Sequence, residues 1–163
     1  MIRVVVTVLL AIAILAAAMP AVEHAAADRS EAQLRSGVES IDAAAVDLVE
    51  SEEAVPGTVG ARRTVEVRIP AADVGAAGVE RLAISGSDRG YEFRVEGRDE
   101  TEIHGTVPVH TIDGEPLVLR DPGTHELVLA LVEVGGDRRV VITRLERVHD
   151  GAFGGPGAQV QVQ

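Results

Sequence analysis

Residues 13–34 read AILAAAMPAVEHAAADRSEAQL, and the fold turns on whether this stretch is one helix or two separate pieces. Residues 4–22 carry no charge, and charged residues begin at Glu23. At 1.5 Å rise per residue those 19 residues span about 28 Å, close to the hydrocarbon thickness of a bilayer. Arg3 precedes the run; Glu23, Asp28 and Glu31 follow it. The positive-inside preference therefore places the N-terminus in the cytoplasm and everything after Val22 outside, with a single pass through the membrane.

Beyond Asp28 the pattern remains helical. Leu34, Val38, Ile41, Ala45 and Leu48 recur at spacings of 4, 3, 4 and 3 residues, which puts them on one face of a helix. Glu31, Arg35, Glu39, Asp42 and Glu50 fall largely off that stripe. Alanine is abundant, and no proline occurs between Val22 and Val55 to force a break. Gly37 costs about 1 kcal/mol relative to alanine without ending a helix. The expectation is one continuous helix from about residue 3 to about residue 52. Pro20 should kink it near the outer membrane boundary, because proline removes a backbone hydrogen bond and crowds the preceding turn. A cleavable signal peptide is the competing reading, since a short basic start, an apolar core and small residues at Ala16 and Ala18 also fit one. The amphipathic continuation argues against it.

This layout resembles the N-terminal helix of type IV pilins and pseudopilins. The stretch VLLAIAILAAAMPAVEHAAADRSEAQL, residues 8–34, carries the resemblance. In that family an apolar half rich in Ala, Ile, Leu and Val is followed by a proline and then by a polar amphipathic half packed on a β-domain. The resemblance implies a membrane-inserted subunit whose apolar helix packs against like helices. Small residues Ala11, Ala13, Ala16, Ala17 and Ala18, with Pro20, would then form the helix-packing surface in the membrane. Arg3 stands where the family keeps a glutamate, and no basic leader ending in glycine precedes the apolar run. The chain also looks like an uncharacterised haloarchaeal family of small anchored proteins associated with secretion or pilus machinery.

Composition narrows the partners. All 15 basic residues are arginine, 26 residues are acidic, and the formal charge is −11. Counting from Glu23, the balance is 14 − 26 = −12. Such a surface repels nucleic acid and anionic lipid headgroups. An acidic chain without lysine suits a high-salt environment, although a GC-rich genome would bias codons the same way. Without cysteine the chain holds neither disulfides nor thiolate metal sites.

After residues 55–61, VPGTVGA, the period changes from helical to alternating. TVEVRI (64–69) and YEFRVEG (91–97) put apolar residues on one face and charged residues on the other, as half-buried antiparallel strands do. RLAISG (81–86), TEIHGTVPVH (101–110), PLVLR (116–120), HELVLALVEV (125–134) and RRVVITRLERV (138–148) complete a set of seven expected strands, the last two joined by a GGD hairpin signal. Pro70 and Pro108 belong at strand ends or edges. The fold class is α+β: a long N-terminal helix, membrane-spanning in its first half, packed on an antiparallel β-sheet or small sandwich. The stripe Leu34, Val38, Ile41, Ala45 and Leu48 is the expected helix–sheet packing surface, because left exposed it would invite aggregation. The expected segments are a membrane span (1–22), its amphipathic extension (23–53), a β-domain (62–149) and a loose Gly-rich tail (150–163).

Few residues in the sequence point to chemistry. His104, His110, Asp113 and His125 suggest metal ligation, but on one extended strand His104 and His110 lie roughly 20 Å apart. GSDRG (86–90) does not fit a serine nucleophile elbow and reads as a turn. Asp99, Glu100 and Glu102 flank a turn and read as a solvated loop rather than a cation site. No Ser/His/Asp set can be assembled from spacing. No enzyme, cofactor or metal is expected. The expected partners are the lipid bilayer and, from the resemblance, like subunits or pilus and secretion platform proteins.

Overall fold

The computed structural model describes residues 2–51, 60–86, 88–134 and 136–146. The expected Gly-rich tail, and the linker at residues 52–59, lie outside the described residues. Helix α1 (Ile2–Ser51) is a single helix with Pro20 in its interior. Its two halves meet different surroundings. Residues 2–25 are exposed throughout, and the buried positions begin at Ala26 and Ala27 and continue through Ser30, Leu34, Val38, Ile41, Ala45 and Leu48. From Ala27 onward those positions recur every three or four residues, so burial follows a single stripe.

Eight strands follow: β1 (Arg62–Ile69), β2 (Val79–Ile84), β3 (Gly90–Val95), β4 (Thr101–His104), β5 (Val109–Thr111), β6 (Leu117–Leu119), β7 (Gly123–Val134) and β8 (Asp137–Arg144). They form two four-stranded sheets, ordered β1-β7-β8-β5 and β4-β3-β2-β6. The long β7–β8 hairpin pairs Leu127 with Arg144 at its open end and Val134 with Asp137 at its turn. Strand β1 adds antiparallel to β7, from Arg62 opposite Ala130 to Ile69 opposite Gly123.

The expected strand at 101–110 is two strands in different sheets. Residues 101–104 pair with β3, whereas 109–111 pair with β8. The physical reason lies between them: Thr106 is bonded to Asp42 of the helix, and Pro108 has no N–H to give a continuing ladder. The β5–β8 pairing is parallel, so the first sheet is mixed rather than purely antiparallel as expected. The Thr111 and Val109 amides also donate to the Gly86 and Asp88 carbonyls, tying β5 to the β2–β3 turn of the opposite sheet.

Both sheets face α1. Leu34, Val38, Ile41, Ala45 and Leu48 share one core with Val67 and Ile69 of β1, Leu82 and Ile84 of β2, Tyr91 and Phe93 of β3, and Leu127, Leu129 and Leu131 of β7. Gly37 is where β1 comes closest: a Cβ there would stand 3.1 Å from Cγ1 of Val67. The helix cost of a glycine at this position is thus offset by close helix–strand packing. Strand β7 departs from simple alternation, because every residue from Leu127 to Val132 is buried. Val128, Ala130, Val132 and Val141 form a second, smaller apolar cluster with Ile112, Val134 and Leu145.

Ile41 is fully buried at the centre of the stripe, whereas Glu39 on the same helix is exposed. Ile41→Ala is expected to lower the stability of the full-length chain in detergent micelles by about 2–5 kcal/mol, and Glu39→Ala by less than about 0.5 kcal/mol. Denaturant unfolding followed by far-UV circular dichroism checks the pair; equal effects would contradict the packing described.

Candidate functional site

The most distinctive surface is the apolar half of α1. Among the described residues, the exposed large hydrophobic side chains all belong to α1 between Ile2 and Val22, with Val74 as the single exception. The helix contains a segment long and apolar enough to cross a membrane, none of it buried against the rest of the chain. It fits a membrane anchor. On a helix of 3.6 residues per turn, Ala13, Ala16, Ala17 and Pro20 lie on one face, and Ala11 and Ala18 lie together on nearly the opposite face. The helix therefore separates the expected small-residue surface into two.

Where the apolar half ends, the chain builds a junction. The Ser30 hydroxyl donates to the Ala77 carbonyl at 2.8 Å, and the Ala77 amide donates to the Ala26 carbonyl at 3.3 Å. Arg29 donates to the Gly75 carbonyl at 3.3 Å. From the β3–β4 turn, Arg98 reaches the Asp28 carboxylate at 2.5 Å and the His24 carbonyl at 3.4 Å. Glu23, His24, Ala72, Asp73, Glu96 and Arg98 help to line a shallow cleft of about 410 Å³ at this level.

Further along the helix, Asp42 fastens the β4–β5 turn. Its carboxylate accepts from the Thr106 amide at 2.7 Å and from the Thr106 hydroxyl at 2.8 Å. Gly105 permits this approach, since a Cβ there would lie 2.7 Å from Oδ1 of Asp42 and 2.8 Å from Cε2 of Tyr91. The Tyr91 hydroxyl is buried without a hydrogen-bond partner among the described residues. Burial, and then the charge of Asp42, push its pKa up. Sequence reasoning placed Asp42 simply off the apolar stripe. Its pairing across 64 residues with Thr106 left no local signal.

The residues considered for chemistry are dispersed. His104 lies on β4 and His110 on β5, in different sheets. His104 is exposed beside Glu102 at 3.4 Å. Burial, with the charge of Arg139 adding to it, pulls the His110 pKa down. The His125 ring nitrogen Nε2 meets the Asp121 carbonyl at 2.7 Å, and Asp113 accepts from the Glu115 amide at 3.3 Å. Among the described residues no group of three or more His, Asp or Glu side chains could hold a metal ion. In the GSDRG turn, Asp88 accepts from the Gly90 amide at 2.7 Å. Glu100 is held by Arg81 and, at 3.2 Å, by Arg94, so its carboxylate is committed within the β2–β3–β4 surface.

The chain belongs to the DUF7311 family, a domain of unknown function whose profile matches residues 1–145. That match spans the whole of α1 and all eight strands, so helix and sandwich are parts of one family unit. No curated protein and no solved structure matches the chain.

Two outcomes follow from the contacts above. Asp42→Ala, which leaves the Thr106 donors without their acceptor, is expected to cost about 1–3 kcal/mol in denaturant unfolding. Asp42→Asn should recover part of the loss; no difference between Asp42→Ala and the unaltered chain would contradict the latch. The second concerns acid. The Arg81 hydrogen bond, and then the charges of Arg81 and Arg94, lower the Glu100 pKa from its ordinary value of 4.5. Arg63 and Ser51 lower that of Asp47, and Ser85 and Gly90 that of Asp88. A lowered carboxylate contributes stability above its unfolded pKa and loses it as pH falls through its folded pKa. The unfolding midpoint should therefore decline in two stages as pH falls: below about 6.5 the unfolded chain takes up a proton at His110 that the folded chain resists, and below about pH 5 the carboxylates follow, with Glu100→Gln making only the second stage shallower.

Proposed function

We propose that this protein is a membrane-anchored, pilin-like structural or accessory subunit of an archaeal-type pilus or secretion system. In this reading residues 4–22 cross the bilayer once, the N-terminus is cytoplasmic, and the sandwich is presented outside. The observation that carries the reading is the division of labour along α1. One uninterrupted helix is fully exposed and apolar in its first half and forms part of a β-sandwich core in its second. A tether needs no such rigidity. A helix that must transmit position from a membrane-embedded bundle to an outer domain does. Without the hydrophobic effect to drive association in lipid, helices there pack through small residues, and the face bearing Ala13, Ala16 and Ala17 supplies them. The enclosed sandwich, with its acidic exterior, supports a role in presentation and assembly more than in catalysis.

A second reading, an anchored extracytoplasmic binding module with no filament role, draws on one feature. A cleft of about 360 Å³ lies between β5, β6 and β8, lined by Thr111, Asp113, Glu115, Arg144 and Glu146 among others. Arg144 spans it by donating to the Val118 carbonyl at 2.6 Å. That guanidinium is engaged, so the pilin-like reading takes precedence.

The test is self-association in membranes. The chain has no native cysteine, so Ala13→Cys and Ala17→Cys provide clean single thiols. Oxidative crosslinking in native membranes is expected to give dimers at both positions. Mass spectrometry of a covalent adduct joining either position to a second chain would identify the neighbour. Strictly monomeric chains at both positions would overturn the assembly reading and leave the anchored module.

A further inference from the structure

The loop between β1 and β2, Pro70–Gly78, is almost free of charge: its residues are PAADVGAAG, with Asp73 the sole ionisable group. At its tip Val74 is 91% exposed, the most exposed large hydrophobic side chain among the described residues. Soluble surfaces tolerate single exposed valines, so exposure by itself says little. Position along the rod is what gives it meaning.

Strand β1 runs alongside α1 in the opposite direction, toward the apolar half. Arg63 bonds Asp47 at 2.8 Å, and Val67 lies against Gly37. The loop that continues from β1 reaches Arg29 through Gly75 and Ala26 through Ala77. Asp73 and Ala76 bridge, with the Asp73 amide donating to the Ala76 carbonyl at 2.9 Å, and this holds Val74 and Gly75 at the turn. The Asp73 carboxylate is occupied by the Gly75 amide at 2.6 Å. Ala26 and Arg29 lie four and seven residues past Val22, or about 6 and 10 Å along the helix axis. The polar layer of a bilayer is about 5–8 Å deep on each side. Loop and apolar segment are thus held at a fixed spacing, with the Ala26 level inside the headgroup layer and the Arg29 level just beyond its outer edge.

We propose that the Pro70–Gly78 loop is a second membrane contact, with Val74 inserted into the interfacial layer of the same bilayer that α1 crosses. This rests on the reading of residues 4–22 as the membrane span and extends it. The occupant is lipid because the loop is continuous with the membrane-crossing segment at its own end of the sandwich. The net charge of −12 from Glu23 onward favours zwitterionic over anionic lipid there. Two points of contact, the rod and the loop, fix the tilt of rod and sandwich together against the bilayer plane, which a single span leaves free.

The test uses the full-length chain in phosphatidylcholine vesicles with single cysteines at three places. These are Leu9→Cys in the apolar half, Val74→Cys at the loop tip and Asp137→Cys at the β7–β8 turn, the opposite end of the sandwich. Val74 and Asp137 are on the surface, so neither change disturbs the core. Bare thiols are alkylated with a membrane-impermeant maleimide, and an environment-sensitive fluorophore on each thiol is quenched with lipids labelled along the acyl chain. Burying a side chain of valine's size shifts an equilibrium about tenfold, so Val74→Cys should be alkylated about tenfold more slowly than Asp137→Cys. Its fluorophore should be quenched by lipids labelled near the headgroup, and the Leu9 fluorophore by deeply labelled lipids. Lipid quenching at position 9 with free alkylation and no lipid quenching at 74 would overturn the loop contact while leaving the anchor. Slow alkylation at 74 without lipid quenching would overturn it in favour of cover by a protein. Absence of lipid quenching at position 9 would remove the anchor and the loop contact together.

Discussion

The rest of the structure depends on the burial of one helical stripe. Leu34, Val38, Ile41 and Leu48 are essentially inaccessible to water, and their partners come from both sheets. Each such side chain contributes about 1.5–3 kcal/mol, so the four together supply roughly 6–12 kcal/mol. That is comparable with the whole net stability of a small domain. Removing α1 would leave two four-stranded sheets without the element that fills the space between them. The helix is therefore a structural member of the sandwich as well as its N-terminal extension.

The same backbone then meets a second constraint. Within hydrocarbon every peptide group must find its partner inside the segment, and a helix meets that demand on its own. A chain already helical for core-packing reasons can extend into lipid with no change of conformation. The apolar half of α1, exposed on every side, is the surface such an extension would present. Polar fasteners then set how the sandwich sits on the rod. Asp42 holds the β4–β5 turn, Ser30 and Ala26 hold the β1–β2 loop, and Asp28 holds Arg98 of the β3–β4 turn. The partly exposed Asp28–Arg98 ion pair contributes little, so it orients more than it stabilises.

Much of this architecture could be read from local pattern. The helix from about residue 3 to 52 followed from the spacing of Leu34, Val38, Ile41, Ala45 and Leu48 and from the lack of a proline between Val22 and Val55. Alternation located β1 and β3 because Glu66, Arg68, Glu92 and Arg94 mark the outer faces plainly. It failed where tertiary pairing decides. The division of residues 101–110 depends on Thr106 meeting Asp42 across the fold, and the parallel placement of β5 depends on β8, some 30 residues later. Neither pairing leaves a trace in spacing, although Pro108 marked a strand end or edge within 101–110. Strand β7 hid its two-sided burial, since the run LVLALV reads the same on either face. The junction was invisible for a similar reason. Ser30, Asp28 and Arg98 look like ordinary surface residues until the fold brings 70 positions of separation to hydrogen-bond distance.

Hydrogen exchange on the full-length chain in phosphatidylcholine vesicles tests the central claim most directly. If one rod runs from lipid into the sandwich, the amides from Ala21 to Gln33 will exchange slowly, without a gap between the protected apolar segment and the protected Leu34–Leu48 stripe. Rapid exchange across Ala21–Gln33, with protection on both sides, would mean two helices joined by a flexible link and would contradict it.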